Sequence, residues 1–261
     1  MVAYRRLQLP VAPTPGGAAR PALTRPAPGV TLLVAALCLG ACHSVPGLRP
    51  RAPPPTPVTT PAQAAGTERY RIDSARSEVL ILVYRDGRMA SLGHNHVVAV
   101  RDLSGEVVVA TDLTQSSWQL DFPVAALSVD EPQLRAAQGA DFQTRVDAVA
   151  TAGTRDHMLG PMLLDAARFP VIHLQSEQIS GEADGLRLSA RIVVRDHSVQ
   201  VELPVALQRS PQELIASGEC DLTHAQLGLT PYSVALGALR VAERMHVRYR
   251  LVAQRESDAP R

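Results

Sequence analysis

The chain has 261 residues, of which 46% are hydrophobic and 20% charged, with a net charge of +1. That apolar share supports a sizeable folded core and excludes general disorder, while the balanced charge excludes a nucleic-acid footprint. Aromatic residues are only 3%, so the core is built from Val, Leu, Ile and Ala, and all 26 basic residues are arginines scattered without a stripe.

Residues 1–29 carry Arg5, Arg6, Arg20 and Arg25 and no acidic residue. An apolar run from Val30 to Cys42 follows. It is too short for a membrane-spanning helix, which needs about 20 residues, and has the length of a signal-peptide core behind positive charge. Its end, Leu39-Gly40-Ala41-Cys42, resembles the bacterial lipobox. The expectation is a signal peptide over residues 1–42, with cleavage before Cys42 and lipid attached to it. The protein would then be held on a membrane of the bacterial cell envelope, facing the periplasm. Residues 43–67 are Pro-rich, with Pro53-Pro54-Pro55 and Pro57, and read as an extended tether. Processing would remove Cys38 and block Cys42, leaving Cys220 without a disulfide partner and reading as a small core residue.

Residues 68–254 are the folded domain, and 255–261 a tail. Period-two alternation dominates. An almost unbroken apolar run, Val79 to Tyr84, leads through Asp86-Gly87 into His94-Asn95-His96 and a further strand. Trp118, Leu120 and Phe122 alternate with Gln119 and Asp121; Leu188 and Ile192 alternate with Ser189 and Arg191. Val201 and Leu203 alternate with Gln200 and Glu202, and Met245 and Val247 with Arg244 and His246. Turns at 102–105, 181–185 and 195–198 are too short for parallel crossovers, so these strands pair antiparallel. Residues 130–169 interrupt them with helical character over 144–159 and another helical turn at 163–169, stopped by Pro170. The fold class is mainly β: an antiparallel, lipocalin-like barrel of about eight strands with a helical insert beside it.

His94 and His96 lie two apart in extended chain and share a face, so they could supply two metal or haem ligands, with His157 or His173 as a third. The other reading makes them hydrogen-bonding groups at the mouth of the barrel, with no metal. Asp196-His197-Ser198 holds triad residue types, but neighbours in a tight turn cannot align nucleophile, base and orienter. No nucleophile elbow, phosphate loop or dinucleotide fingerprint is present, so no catalytic residue and no cofactor are expected. Glu243 falls on the apolar-facing side of the last strand, where a carboxylate facing the interior is one alternative.

Five stretches in order resemble the YceI-like family. They are Tyr70-Arg-Ile-Asp73-Ser74 with Ser77-Glu-Val79, Gly93-His94-Asn95-His96, Leu164 to Ser176, Val201-Glu-Leu-Pro204-Val, and Leu227 to Ser233 with Gly237 to Val241. The chain departs from that pattern at Asp196-His197-Ser198, where the family usually has Gly. The resemblance implies a barrel with an apolar tunnel for an isoprenoid tail. Alternation then assigns Trp118, Leu120, Phe122, Leu188, Ile192, Val201, Leu203, Met245 and Val247 to the tunnel lining. The expected function is binding of an amphiphile with a long apolar tail, without catalysis; a homodimer is one option for self-association, and the sequence leaves the oligomeric state open. The rivals are a metal- or haem-binding barrel using His94 and His96, and an envelope barrel filled by its own side chains.

Overall fold

A computed structural model of the chain describes residues 67–181 and 185–256. Cys42 and the segment up to residue 66 lie outside the described residues, so the lipobox and tether readings are not addressed by it. The strands in chain order are β1 (Glu68–Ile72), β2 (Glu78–Asp86), β3 (His96–Ala99), β4 (Ser104–Val109), β5 (Ser117–Pro123) and β6 (Ser128–Val129), then β7 (Val171–Ser180), β8 (Leu186–Val194), β9 (His197–Arg209), β10 (Glu213–Thr223), β11 (Ser233–Val234) and β12 (Leu239–Arg255). Two α-helices, α1 (Pro132–Ala136) and α2 (Ala148–Leu159), lie between β6 and β7. All pairings between these strands are antiparallel. Eight of them, in the order β1-β4-β5-β7-β8-β9-β10-β12, close into a barrel through the pairing of Tyr70 with Arg255.

Of the remaining four, β2, β3 and β6 are the upper halves of three broken strands, and β11 pairs with the start of β12. Chain leaving β1 is interrupted at Asp73–Ser77 and continues as β2, still paired with β12. The break is written in hydroxyl and carboxylate chemistry. The Asp73 side chain caps a 3-10 turn by accepting from the Arg76 N–H, and Ser77 Oγ accepts from the Val252 N–H at 3.0 Å in place of a ladder carbonyl. A second break, at 100–103, separates β3 from β4 and places Asp102 at φ 55. The third follows Pro123 and separates β5 from β6. We call the part formed by β2, β3 and β6 the collar, and the opposite end, with Val109, Leu186 and Leu214, the base.

The collar explains the unbroken run from Val79 to Tyr84. Both of its faces are covered, so alternation disappears. Val79, Ile81 and Val83 pack on the interior cluster, while Leu80 and Leu82 face outward with Val97 and Ala99 under Phe142. Tyr84 meets Phe142 edge-on at 5.5 Å. Helix α2 is capped by Asp147, which accepts from the Ala150 N–H, and it buries none of its own residues. Arg155 ties it to the barrel by donating to the carbonyls of Leu127 and Ala125. Residues 163–169, expected as a helical turn, form hydrogen-bonded turns instead. Asp165 there sits at φ 47, and its N–H bonds back to the Gly160 carbonyl, which ends helical progression.

Candidate functional site: an apolar cavity in the barrel

The inward faces of the barrel strands do not meet in the middle. They enclose a cavity of ≈ 240 Å³. Along β8 its lining runs from Leu186 to Val194, about 26 Å of extended chain, or about 20 Å along the axis of a barrel with ordinary strand tilt. A volume of ≈ 240 Å³ spread over that length is a path one chain wide. Its signature in the side chains is direct: Trp118, Leu188, Leu203, Val247 and Leu251 point inward yet are only partly buried. In a solid core such side chains would be fully covered. The interior is therefore hollow, against the reading of a barrel filled by its own side chains.

Of the residues assigned by alternation, Trp118, Leu120, Phe122, Leu188, Ile192, Leu203 and Val247 line this cavity. Val201 and Met245 do not. Both face inward but are covered by packed neighbours, although Val201 pairs with Ala190 between the lining residues Leu188 and Ile192, and Met245 pairs with the lining Leu222. Period-two alternation gives the face of a residue and says nothing of whether its neighbours cover it. Glu243 also departs from its alternation. A register irregularity between Val241 and Met245 turns it outward, where its Oε1 accepts from the Ala225 N–H at 2.7 Å.

Sequence reasoning missed the base and the seam of the cavity. Val107, Val109 and Leu113 close part of its lower end with Leu207 and Leu214. Cys220, read as a small core residue, lines the wall. Burial, with a smaller push from Asp221, raises its thiol to about 11, so it stays protonated and is no nucleophile at neutral pH. Strands β9 and β10 pair only over Ala206–Arg209 and Leu214–Ser217, and part above that point. Tyr249 bridges the parting by donating its hydroxyl to the Pro204 carbonyl at 2.5 Å. Higher up, Leu227 reaches the cavity from a loop fastened by His197, whose Nε2 lies 2.9 Å from the Gln226 carbonyl oxygen. That bond is where Asp196-His197-Ser198 finds its role. The two-residue turn ahead of it is made with Arg195 at φ 57, without glycine.

The heteroatoms in the lining belong to Ser116, Trp118, Cys220 and Tyr249, with no carboxylate or imidazole among them. Ser116 Oγ already accepts from the Ala110 N–H. The indole Nε1 of Trp118 is buried and has no hydrogen-bond partner. An indole N–H can only donate, and a buried donor left unpaired costs about 1–3 kcal/mol.

Neither His94 nor His96 lines the cavity. Their rings lie edge to face, 6.3 Å apart. His96 Nδ1 sits 2.7 Å from Asp130 Oδ2, and Asp130 Oδ1 accepts from the Val97 N–H and from Arg135 Nη1 at 2.8 Å. Burial pushes the Asp130 carboxyl up, but the His96 and Val97 hydrogen bonds and the Arg135 charge outweigh it and hold it below its usual value. Arg135, itself buried, also donates to the Asn95 and Thr144 carbonyls. The cluster clamps β3, the chain after β6 and α1 together. His157 packs on Tyr232 and His173 bonds Asp121, so neither joins the pair as a third ligand. Among the described residues no group of three or more His, Cys, Asp or Glu is placed to hold a metal ion.

No curated protein matches the sequence. Among solved structures, BcnA of Burkholderia cenocepacia superposes with a TM-score of 0.52 at 15% identity, over 69% of this chain and 98% of that one. A YceI protein of Campylobacter jejuni gives a TM-score of 0.44 at 7% identity, over 61% of this chain and 85% of that one. The BcnA likeness supports the closed barrel fold. The family model described as "YceI-like domain" matches residues 70–253, which is most of the chain and nearly all of the barrel, and the protein belongs to that family.

Proposed function

We propose that the barrel binds an amphiphile with one long apolar tail, such as a polyisoprenoid, and holds the tail in the cavity to carry or sequester it. The observation that supports this reading best is the hollow itself: a path one chain wide, about 20 Å long, walled by aliphatic side chains that remain partly uncovered. Each CH₂ taken up is worth at most about 0.8 kcal/mol, so affinity rises with tail length until the path is full. Trp118 is the only tryptophan and reports on filling.

The test is a titration with prenyl alcohols of increasing length and with the matching hydrocarbons. Trp118 emission should change on binding, affinity should climb with length to a plateau, and Leu203→Glu should weaken it by placing an unpaired charge in the cavity. A flat series with unchanged emission refutes the tail-binding reading.

For the address of the protein we propose lipidation at Cys42, supported by the apolar run that ends in Leu39-Gly-Ala-Cys42. Such an anchor would tether a periplasm-facing barrel to an envelope membrane. Cys42→Ser should move the protein from the membrane to the soluble fraction. A variant that stays bound, beside a parent carrying no lipid, refutes it.

A further inference from the structure

At the collar end two turns lie side by side and present a group of apolar side chains to solvent. One follows β2 and carries Met89 and Leu92; the other joins β11 to β12 and carries Val234 and Leu236. All four side chains are exposed, Leu236 completely. The turns are fixed to each other. The Met89 N–H donates to the Ala238 carbonyl at 2.8 Å, and Arg240 Nε donates to Asp86 at 2.8 Å. Gly87, at φ 95, is required at this junction, because a Cβ there would stand 2.4 Å from the Ala238 oxygen. The group is thus a single rigid knuckle.

The backbone under Leu236 is strained. Ala235, Leu236 and Gly237 are successive residues in the left-handed region, at φ 51, 54 and 84. Only the last is a glycine; Ala and Leu both hold a conformation that disfavours a Cβ. Strain of this kind is held in place by the surrounding fold and concentrates at functional positions. Here it lifts a leucine into water, where the side chain contributes nothing to the core.

Charge distinguishes among occupants. Arg85, Arg88 and Arg240 surround the knuckle against one carboxylate, Asp86, which Arg240 already neutralises. Exposed Arg88 has no carboxylate partner among the described residues. Four side chains on two turns are far fewer than the roughly 20–30 residues a side that a stable protein interface uses. A small apolar tip ringed by arginines suits a surface that is itself apolar beneath an anionic layer.

We propose that this knuckle docks on an anionic lipid surface, with Leu236, Val234, Met89 and Leu92 entering the acyl boundary and Arg88 at headgroup level. The proposal does not depend on what the cavity holds or on Cys42. Its test places a reporter at the tip of the full chain: Leu236→Trp in a Trp118→Phe background, mixed with phosphatidylglycerol vesicles whose acyl chains are brominated. The expected result is a blue shift and loss of most of the emission. Arg88→Gln, or brominated phosphatidylcholine vesicles, should clearly reduce the loss. Gln212→Trp, in the β9–β10 turn at the base, should stay unquenched even where an N-terminal anchor holds the chain on the vesicle. The proposal is overturned if the Leu236→Trp emission stays as wet as that of Gln212→Trp or both are quenched alike. Equal quenching by the two lipids overturns it too. So does a blue shift that depends on protein concentration without vesicles, which would assign the knuckle to a second copy of the chain.

Discussion

The barrel wall around the cavity and the collar above it are made from the same aliphatic residues, and they end in opposite states. Around the cavity, Leu188 and Leu203 on paired strands and Val247 on β12 border empty space, and no charged group enters. In the collar and the turn leading into it, Val97 and Val124 are almost completely buried, and a carboxylate, an imidazole and a guanidinium share the adjoining space. A hollow barrel forfeits the dispersion energy of its missing core contacts. The strands around it must then be positioned by something other than interior packing. The collar supplies that positioning from one end. Asp130 fastens β3 to the chain after β6, Arg135 fastens α1 to both, and Phe142 seals the outer face.

Removing one member of the clamp should have the largest effect. Arg135→Ala leaves the buried Asp130 without its guanidinium, held only by His96 and the Val97 N–H, and frees the Asn95 and Thr144 carbonyls. The expected loss is about 3–5 kcal/mol of unfolding free energy, read from the denaturant midpoint. A loss near zero would mean that the collar does not stabilise the barrel. The clamp also has a pH signature. The Asp130 carboxyl is held below its unfolded value of about 3.9, so its stabilisation is fully present above that pH. It disappears as the pH falls through the folded value. Stability measured between pH 5 and 3 should fall more steeply for the parent than for Arg135→Ala, which has less of that shift to lose.

Enlarging a side chain in each region sharpens the contrast. Val124→Phe forces extra volume into a filled site and should cost about 1–3 kcal/mol. Leu203→Phe puts its extra volume into space that is already empty and should leave stability within about 1 kcal/mol of the parent. It should nonetheless shorten the longest prenyl alcohol that binds with full affinity. Equal costs at the two sites, by thermal or denaturant unfolding, would show that the cavity collapses in solution.

The barrel was legible in the sequence because its strands are wet on one side, and a half-exposed strand advertises its period. The inward faces of β5, β8, β9 and β12 could be read residue by residue from that alternation. Coverage by neighbours could not. Nothing in the local pattern around Val201 or Met245 distinguishes a side chain that lines a cavity from one covered by the side chains beside it. The breaks were also hidden, since a strand interrupted at Asp73–Ser77 continues with the same alphabet on the other side. So was the clamp. Arg135 and Asp130 are ordinary charges in sequence, and their burial depends on Thr144 and Asn95 arriving from elsewhere. Leu236 gave no signal at all, because its exposure is a property of one turn's dihedral angles.

The smallest expected effect concerns the seam between β9 and β10 in the cavity wall. Ladder pairing between β9 and β10 stops at Ala206 with Ser217. Pro204 offers no N–H to extend it, and its carbonyl would be left without a partner. Tyr249 reaches across from β12 to donate to that carbonyl. It can do so only because residue 218 is glycine: a Cβ there would stand 2.2 Å from the Pro204 oxygen and 2.5 Å from the Tyr249 hydroxyl. Burial, and then the neighbouring Cys220, push the phenol up, so it remains a donor throughout the working pH range. Tyr249→Phe keeps the ring in the cavity wall and removes only this bond, at an expected cost of about 1 kcal/mol. The loss should be local. Amide exchange of Ala206 and Ser217 should quicken, since they form the last pair below the gap, while Val97 and Leu82 in the collar keep their protection. If the seam amides keep their parent rates, the phenol merely fills space beside Pro204, and the parting of β9 from β10 is held by the Leu227 loop alone.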